Sequence, residues 1–76
     1  MTVQIIVEEW SGHIKEVHVF AMEELVKKYL EQEFGQEFES VQACVDFLTD
    51  HNDNAEGSKR TLYRWFENEV KTEGAV

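Results

Sequence analysis

Three sets of residues in this chain have types and spacings that could support chemistry. Asp50, Asn52 and Asn54 alternate as the first three ligands of a calcium loop do. The match then fails, because the sixth position, which needs glycine for the sharp turn, is Ala55 and the twelfth, which needs a bidentate Glu, is Thr61. His13, His18 and His51 supply three imidazoles, but no two share a ligand spacing on one element. Cys44 is the single cysteine, so the chain has neither an internal disulfide nor a thiolate pair for zinc.

The remaining catalytic chemistries lack their parts. The four glycines, Gly12, Gly35, Gly57 and Gly74, lie far apart and read as turn and end markers, not as a phosphate loop. Ser11, Ser40 and Ser58 sit at turn or cap positions, and Cys44 falls on the inward face of a helix, where it acts as a small hydrophobe. Carboxylates are plentiful, yet nothing in their placement would split their pKa values into an acid and a base. The expectation is a protein that is not an enzyme, with no catalytic, cofactor-binding or metal-binding residues.

Charge is the more informative property. Residues 1–57 hold 13 acids against three bases, whereas residues 58–76 hold three against four. Between Glu31 and Glu56 come Glu31, Glu33, Glu37, Glu39, Asp46, Asp50, Asp53 and Glu56 with no Lys or Arg at all. Such a field repels nucleic acid and draws in basic surfaces. These eight acids, with Trp10 and Trp65 as exposed aromatics of the sheet, form the expected partner-binding set; the plainer reading is a solvated, solubility-promoting face.

The elements that would position these groups can be read in order. Thr2 to Trp10 and His13 to Ala21 are β-branched runs separated by Ser11-Gly12, a β-hairpin signal over 2–21. A three-residue loop with Gly12 left-handed groups Val3, Ile5 and Val7 with Val17 and Val19. It leaves Ile6, Trp10, Ile14 and Phe20 among Glu8, Glu16 and His18 on a mixed reverse face, either covered by another element or open to a partner. A helix is expected over 22–34, with Met22, Leu25, Val26, Tyr29, Leu30 and Phe34 as a core stripe, Glu23–Lys27 and Glu24–Lys28 as supporting pairs, and Gly35 as the stop. A second helix over 40–51, capped by Ser40, turns Val41, Cys44, Val45 and Leu48 inward. Asp50 to Gly57 has the composition of a turn, and Glu73 to Val76 that of a frayed tail.

The stretch from Ser58 to Lys71 can be read two ways. As a helix, its opening Ser-Lys-Arg-Thr-Leu-Tyr-Arg-Trp-Phe resembles the start of a helix-turn-helix recognition helix over about nine residues. That resemblance implies a DNA-binding regulator using residues 58–66, with Lys59, Arg60, Thr61 and Arg64 meeting phosphates and base edges. As a strand over 61–70, the stretch uses its β-branched and aromatic content to add a third strand to the hairpin. Charge order favours the strand, since bases first and Glu67 and Glu69 last oppose a helix macrodipole.

The reading is therefore one α+β domain over 1–76, in β-β-α-α-β order, with two helices on one face of a small antiparallel sheet. The alternative is a hairpin followed by three helices. At 76 residues a single core buries about 60% of the unfolded surface. No apolar run nears the roughly 20 residues of a membrane span, and the Met-Thr-Val-Gln start lacks the basic flank of a signal peptide, so a complete cytoplasmic chain is expected. The expected function is a small acidic protein-binding module, monomer or homodimer, for a partner with a basic surface. A sharper form has it imitate nucleic-acid charge in the manner of a phage-type inhibitor. A structural or assembly subunit, pairing through the hairpin edge, is the third option.

Overall fold

A computed structural model describes residues 1–55 and 60–70. Glu56, Gly57, Ser58 and Lys59, together with the tail from Lys71 onward, lie outside the described residues. The elements are β1 (Thr2–Trp10), β2 (His13–Phe20), α1 (Glu23–Phe34), α2 (Val41–Ala55) and β3 (Leu62–Glu69). They form a three-stranded antiparallel sheet in the order β2-β1-β3, with both helices on one face. This is the expected β-β-α-α-β domain. Because Leu62–Glu69 is a strand, the three-helix alternative does not hold, and the recognition helix it would have supplied does not form.

The hairpin closes through two residues, not three. Ser11 (φ 51°) and Gly12 (φ 80°) are both left-handed, the pair of conformations that matches strand twist in a two-residue turn. The register then slips between Glu8 and Glu9: Glu9 faces Ile14 while Glu8 faces Glu16, so Lys15 is the extra residue of a β-bulge. Beyond the bulge the pairs Val7–Val17, Ile6–His18 and Ile5–Val19 are those a three-residue loop would give. The bulge also moves Ile14 off the face shared by Ile6 and Phe20 and beside Glu9.

It is the mixed face that the helices cover. Ile6 is fully buried with Val26, Leu30 and Cys44, and Phe38, Leu48 and Tyr63 complete the core. Phe20, Tyr29, Phe34, Phe47 and Trp65 pack round it, with Phe34 within 5.0 Å of Tyr63 and His51 and 4.8 Å of Phe47, ring centre to ring centre. The opposite face, carrying Val3, Ile5, Val7, Val17, Val19 and Phe66, has no layer over it among the described residues. In α1 the buried stripe is narrower than expected: Met22 and Leu25 remain 55% and 41% exposed. Gly35, at φ 65°, ends the helix as a left-handed cap, and Gln36 N–H closes onto the Glu31 carbonyl at 3.1 Å.

α2 begins as the sequence indicates, with Ser40 Oγ accepting from Ala43 N–H at 3.1 Å. It does not stop at His51. The expected turn from Asp50 is helical as far as Ala55, and the reason lies across the fold. Asn52 Nδ2 donates to the Tyr63 carbonyl at 2.7 Å while its Oδ1 accepts from Tyr63 N–H at 3.0 Å, so one side-chain amide pairs with β3 as a further strand would. His51 Nε2 donates to the Thr61 carbonyl at 2.9 Å. These bonds hold the last turns of α2 against β3 and cover part of an edge that would otherwise display unpaired backbone. They also remove the calcium-loop reading, since a helix cannot wrap its 1, 3 and 5 positions round an ion.

Asn52→Ala should therefore leave both backbone groups of Tyr63 without their partners and destabilise the domain by about 2–3 kcal/mol. Asn52→Asp, which keeps the acceptor but turns a carboxylate oxygen toward the Tyr63 carbonyl, should be no more stable than the alanine variant. Urea unfolding of the three proteins checks the order; an alanine variant as stable as the parent would mean the clamp is incidental.

Candidate functional site

Each candidate residue can be placed from the elements upward. On α2, Asp46, Asp50 and Asp53 follow one another at spacings of four and three, which puts them on one side of the helix, and all three are exposed. At about 100° per residue they lie on the far side from the buried Cys44 and Leu48. Gln42 Nε2 reaches Asp46 Oδ1 at 3.0 Å. Glu37 and Glu39 are exposed in the link that leads into the helix, and Glu33 is exposed on α1. The stripe of three aspartates carries a charge about every 5 Å of helix axis, somewhat sparser than the roughly 3.4 Å of one DNA strand.

Two members of the expected partner set, Glu31 and Trp65, are drawn away from that surface. Glu31 is occupied within the fold: its Oε2 accepts from Phe38 N–H at 2.9 Å and from Lys27 Nζ at 3.1 Å. These two donors, the backbone N–H first, hold its carboxyl below the usual carboxylate range. Trp65 is half-buried on the helix side and donates its indole N–H to Gln4 Oε1 at 2.8 Å. Glu56 lies outside the described residues. Trp10, 47% exposed at the end of the hairpin, does present its ring to solvent. Of the residues a DNA-binding role would use, Arg60 is exposed ahead of β3, Thr61 is half-buried, and Arg64 Nε pairs with Glu9 Oε2 at 2.8 Å; Lys59 lies outside the described residues.

A second grouping escaped the sequence. Glu8, only 2% exposed, accepts a hydrogen bond from the Tyr29 hydroxyl of α1, and His18 Nε2 lies 2.9 Å from the same carboxylate oxygen. His18 Nε2 is also 3.0 Å from Glu16 Oε2 and 3.1 Å from the Tyr29 oxygen. The two carboxylate oxygens beside this nitrogen only accept and the Tyr29 hydroxyl donates to Glu8, so the tautomer with hydrogen on Nε2 is the one that satisfies the group. The ligand-type atoms of Glu8, Glu16 and His18 all lie within 4.8 Å of one another, the donor set that could hold a divalent cation, although a shared imidazole proton accounts for the same distances. The signal for this grouping was Glu8–Glu16 and Ile6–His18 pairing in the expected register, which set both histidine and carboxylates on one face.

The phenols feel this burial. Tyr29 is driven far above the ordinary phenol range, by burial first and then by its bond to Glu8 and that group's charge. Tyr63 is pushed up to about 12, again by burial first and then by the charges of Glu8, Glu33 and Glu16. Burial likewise pushes the Cys44 thiol up to about 11, which disfavours its thiolate. The surface hollows are shallow. One of about 360 Å³ is lined by Lys28, Glu31, Gln32, Gly35, Gln36 and Glu37, and one of about 160 Å³ lies between α2 and β3 beside Asn52 and Trp65.

Because folding raises both phenols, their contribution to stability is complete below the ordinary value of 10.0 and is lost as pH climbs toward their folded values. In an alkaline titration the phenolate absorbance should therefore rise together with loss of the circular dichroism signal, above the pH at which free tyrosine ionises. Phenolate appearing at the ordinary value in a folded protein would contradict this. Tyr29→Phe should cost about 1.5–3 kcal/mol in urea unfolding, because a buried carboxylate loses its hydroxyl donor.

No protein-family model matches this chain, and no match is found among curated proteins or solved structures.

Proposed function

We propose that the chain is a non-enzymatic protein-binding module that presents an acidic helix face to a basic partner. The observation that carries this reading is the exposed row of Asp46, Asp50 and Asp53 on α2, preceded by Glu37 and Glu39 and unbroken by any Lys or Arg between residues 31 and 56. A one-sided acidic field of this kind speeds encounter with a basic surface and disfavours wrong partners of like charge. In its sharper form the row stands in for a run of phosphates, so the partner is a protein whose basic groove otherwise holds nucleic acid. The shallow hollows and the high pKa of Cys44 support a binding role over a catalytic one.

Affinity should be strongly ionic. Immobilised protein, exposed to a nuclease-treated cell lysate at low salt, should retain proteins with basic nucleic-acid-binding surfaces, and added duplex DNA should compete with them. Retention should fall about tenfold or more as salt rises from roughly 0.1 M, where the Debye length is about 10 Å, toward 1 M, where it is about 3 Å. The triple variant Asp46→Asn, Asp50→Asn, Asp53→Asn should lose that retention with its fold intact. Retention that is indifferent to both salt and the triple variant would refute the reading.

A further inference from the structure

The sheet has two faces and the helices cover only one. Measured along its shortest principal axis the molecule is 17 Å thick, the depth of one sheet and one helical layer. Across the bare face the strand registers set Val19, Ile5 and Phe66 in one row and Val17, Val7 and Arg64 in the next. Val19 is 63% exposed, Val17 54% and Phe66 49%. A contiguous apolar sheet surface of this kind, unlike scattered single residues, marks a surface that another layer covers.

We infer that the covering layer is the same face of a second copy, giving a two-fold dimer with the sheets packed together and the helices outside. Charge decides between occupants. The chain carries a net −9, but the sheet face itself is close to neutral, because Arg64 Nε is matched by Glu9 Oε2 at 2.8 Å. A basic partner would find no unmatched acid there, whereas an apolar, neutral copy finds its own complement. The exposed aspartates of α2 point away from this face, so in the dimer the two acidic rows lie on opposite outer surfaces. With layers about 10 Å apart, roughly 30 Å separates them, well beyond the Debye length of about 8 Å at physiological salt. Repulsion between the two aspartate rows is therefore largely screened in this arrangement.

Area points to the same occupant and sets the strength. Three strands about 4.8 Å apart, each with about eight residues rising roughly 3.3 Å, make a flat face of roughly 14 by 26 Å. With side-chain relief, two such faces bury a total of about 1,000 Å², the lower end for a specific interface. The dimer is therefore concentration-dependent, not permanent. Aligned packing of the two sheets, at about −30°, would bring the two rows of side chains from each copy into one thin core, with Ile5 and Val7 at its centre.

Sedimentation equilibrium across the micromolar range tests this. The parent should pass from monomer to dimer with rising concentration, and added salt should strengthen or leave unchanged the association, the reverse of its effect on binding through the acidic row. Val19→Lys should weaken the dimer by more than about a hundredfold, because a lone ammonium has no partner in that layer. Val19→Thr, which keeps the shape, should weaken it less. Position 19 is largely exposed in the single chain, so circular dichroism should show both variants folded. A parent that stays monomeric at every concentration and salt would overturn the inference, and so would a dimer that Val19→Lys leaves intact, since edge pairing or helix contact would then be responsible. The triple aspartate variant should dimerise as the parent does, which keeps this test separate from that of partner binding.

Discussion

A strand sends successive side chains to opposite faces, and in β1 that alternation settles which half of the molecule becomes the core. Gln4, Ile6 and Glu8 point to the helices, whereas Val3, Ile5 and Val7 point away. Counting β-branched residues would put the valines inside. The aromatic mass is on the other side: Phe20, Tyr63 and Trp65 share the face of Ile6, and each large ring buries far more apolar surface than a valine does. Two helices can cover one face of a three-stranded sheet, and they cover the one with the larger apolar volume.

That choice brings polar groups indoors, where each needs a partner. Gln4 is 5% exposed and answers two neighbours, accepting from the Trp65 indole at 2.8 Å and donating to Glu67 Oε1 at 3.3 Å. Glu8 takes the Tyr29 hydroxyl and His18. Among the described residues no buried side-chain polar atom is left without a hydrogen bond. Such networks add less net stability than apolar packing would, but they fix geometry, because only one register of α1 on the hairpin brings Tyr29 to Glu8. Glu31 plays the equivalent part at the other end of α1. By taking Phe38 N–H it draws the α1–α2 link back under the helices, where Phe38 is buried against Phe47.

How much of this could be read from the sequence varied with how local its cause was. The hairpin, the Ser40 cap, the Gly35 stop and the choice of strand for Leu62–Glu69 all rest on residues within a few positions of the feature, and each was legible. The end of α2 was not, because Asp50, Asn52, Asp53 and Asn54 are turn formers by composition and become helical through bonds from His51 and Asn52 to a strand about ten residues on. The bulge at Lys15 was illegible for a different reason: a two-residue turn plus one extra residue gives the same faces as a three-residue loop. Of the candidate site, the acids were legible as a run without bases, but the row of Asp46, Asp50 and Asp53 depends on the same unforeseen extension of α2. The loss of Glu31 and Trp65 from the site was not legible, since both are drawn inward by partners, Phe38 and Gln4, seven and 61 residues away.

The outcome is a molecule whose two unmatched properties are kept apart in space. The acids stand on the outer side of α2, and the bare apolar surface lies on the far side of the sheet, with the packed core between them. If the two were intermixed, any apolar contact would force carboxylates out of water, at a cost of several kcal/mol for each ion. Separated, each surface can be engaged without desolvating the other. A pair of chains joined through their sheets would then offer two acidic rows on opposite sides, so that each row would be open to a partner of its own and neither would be covered by the pairing.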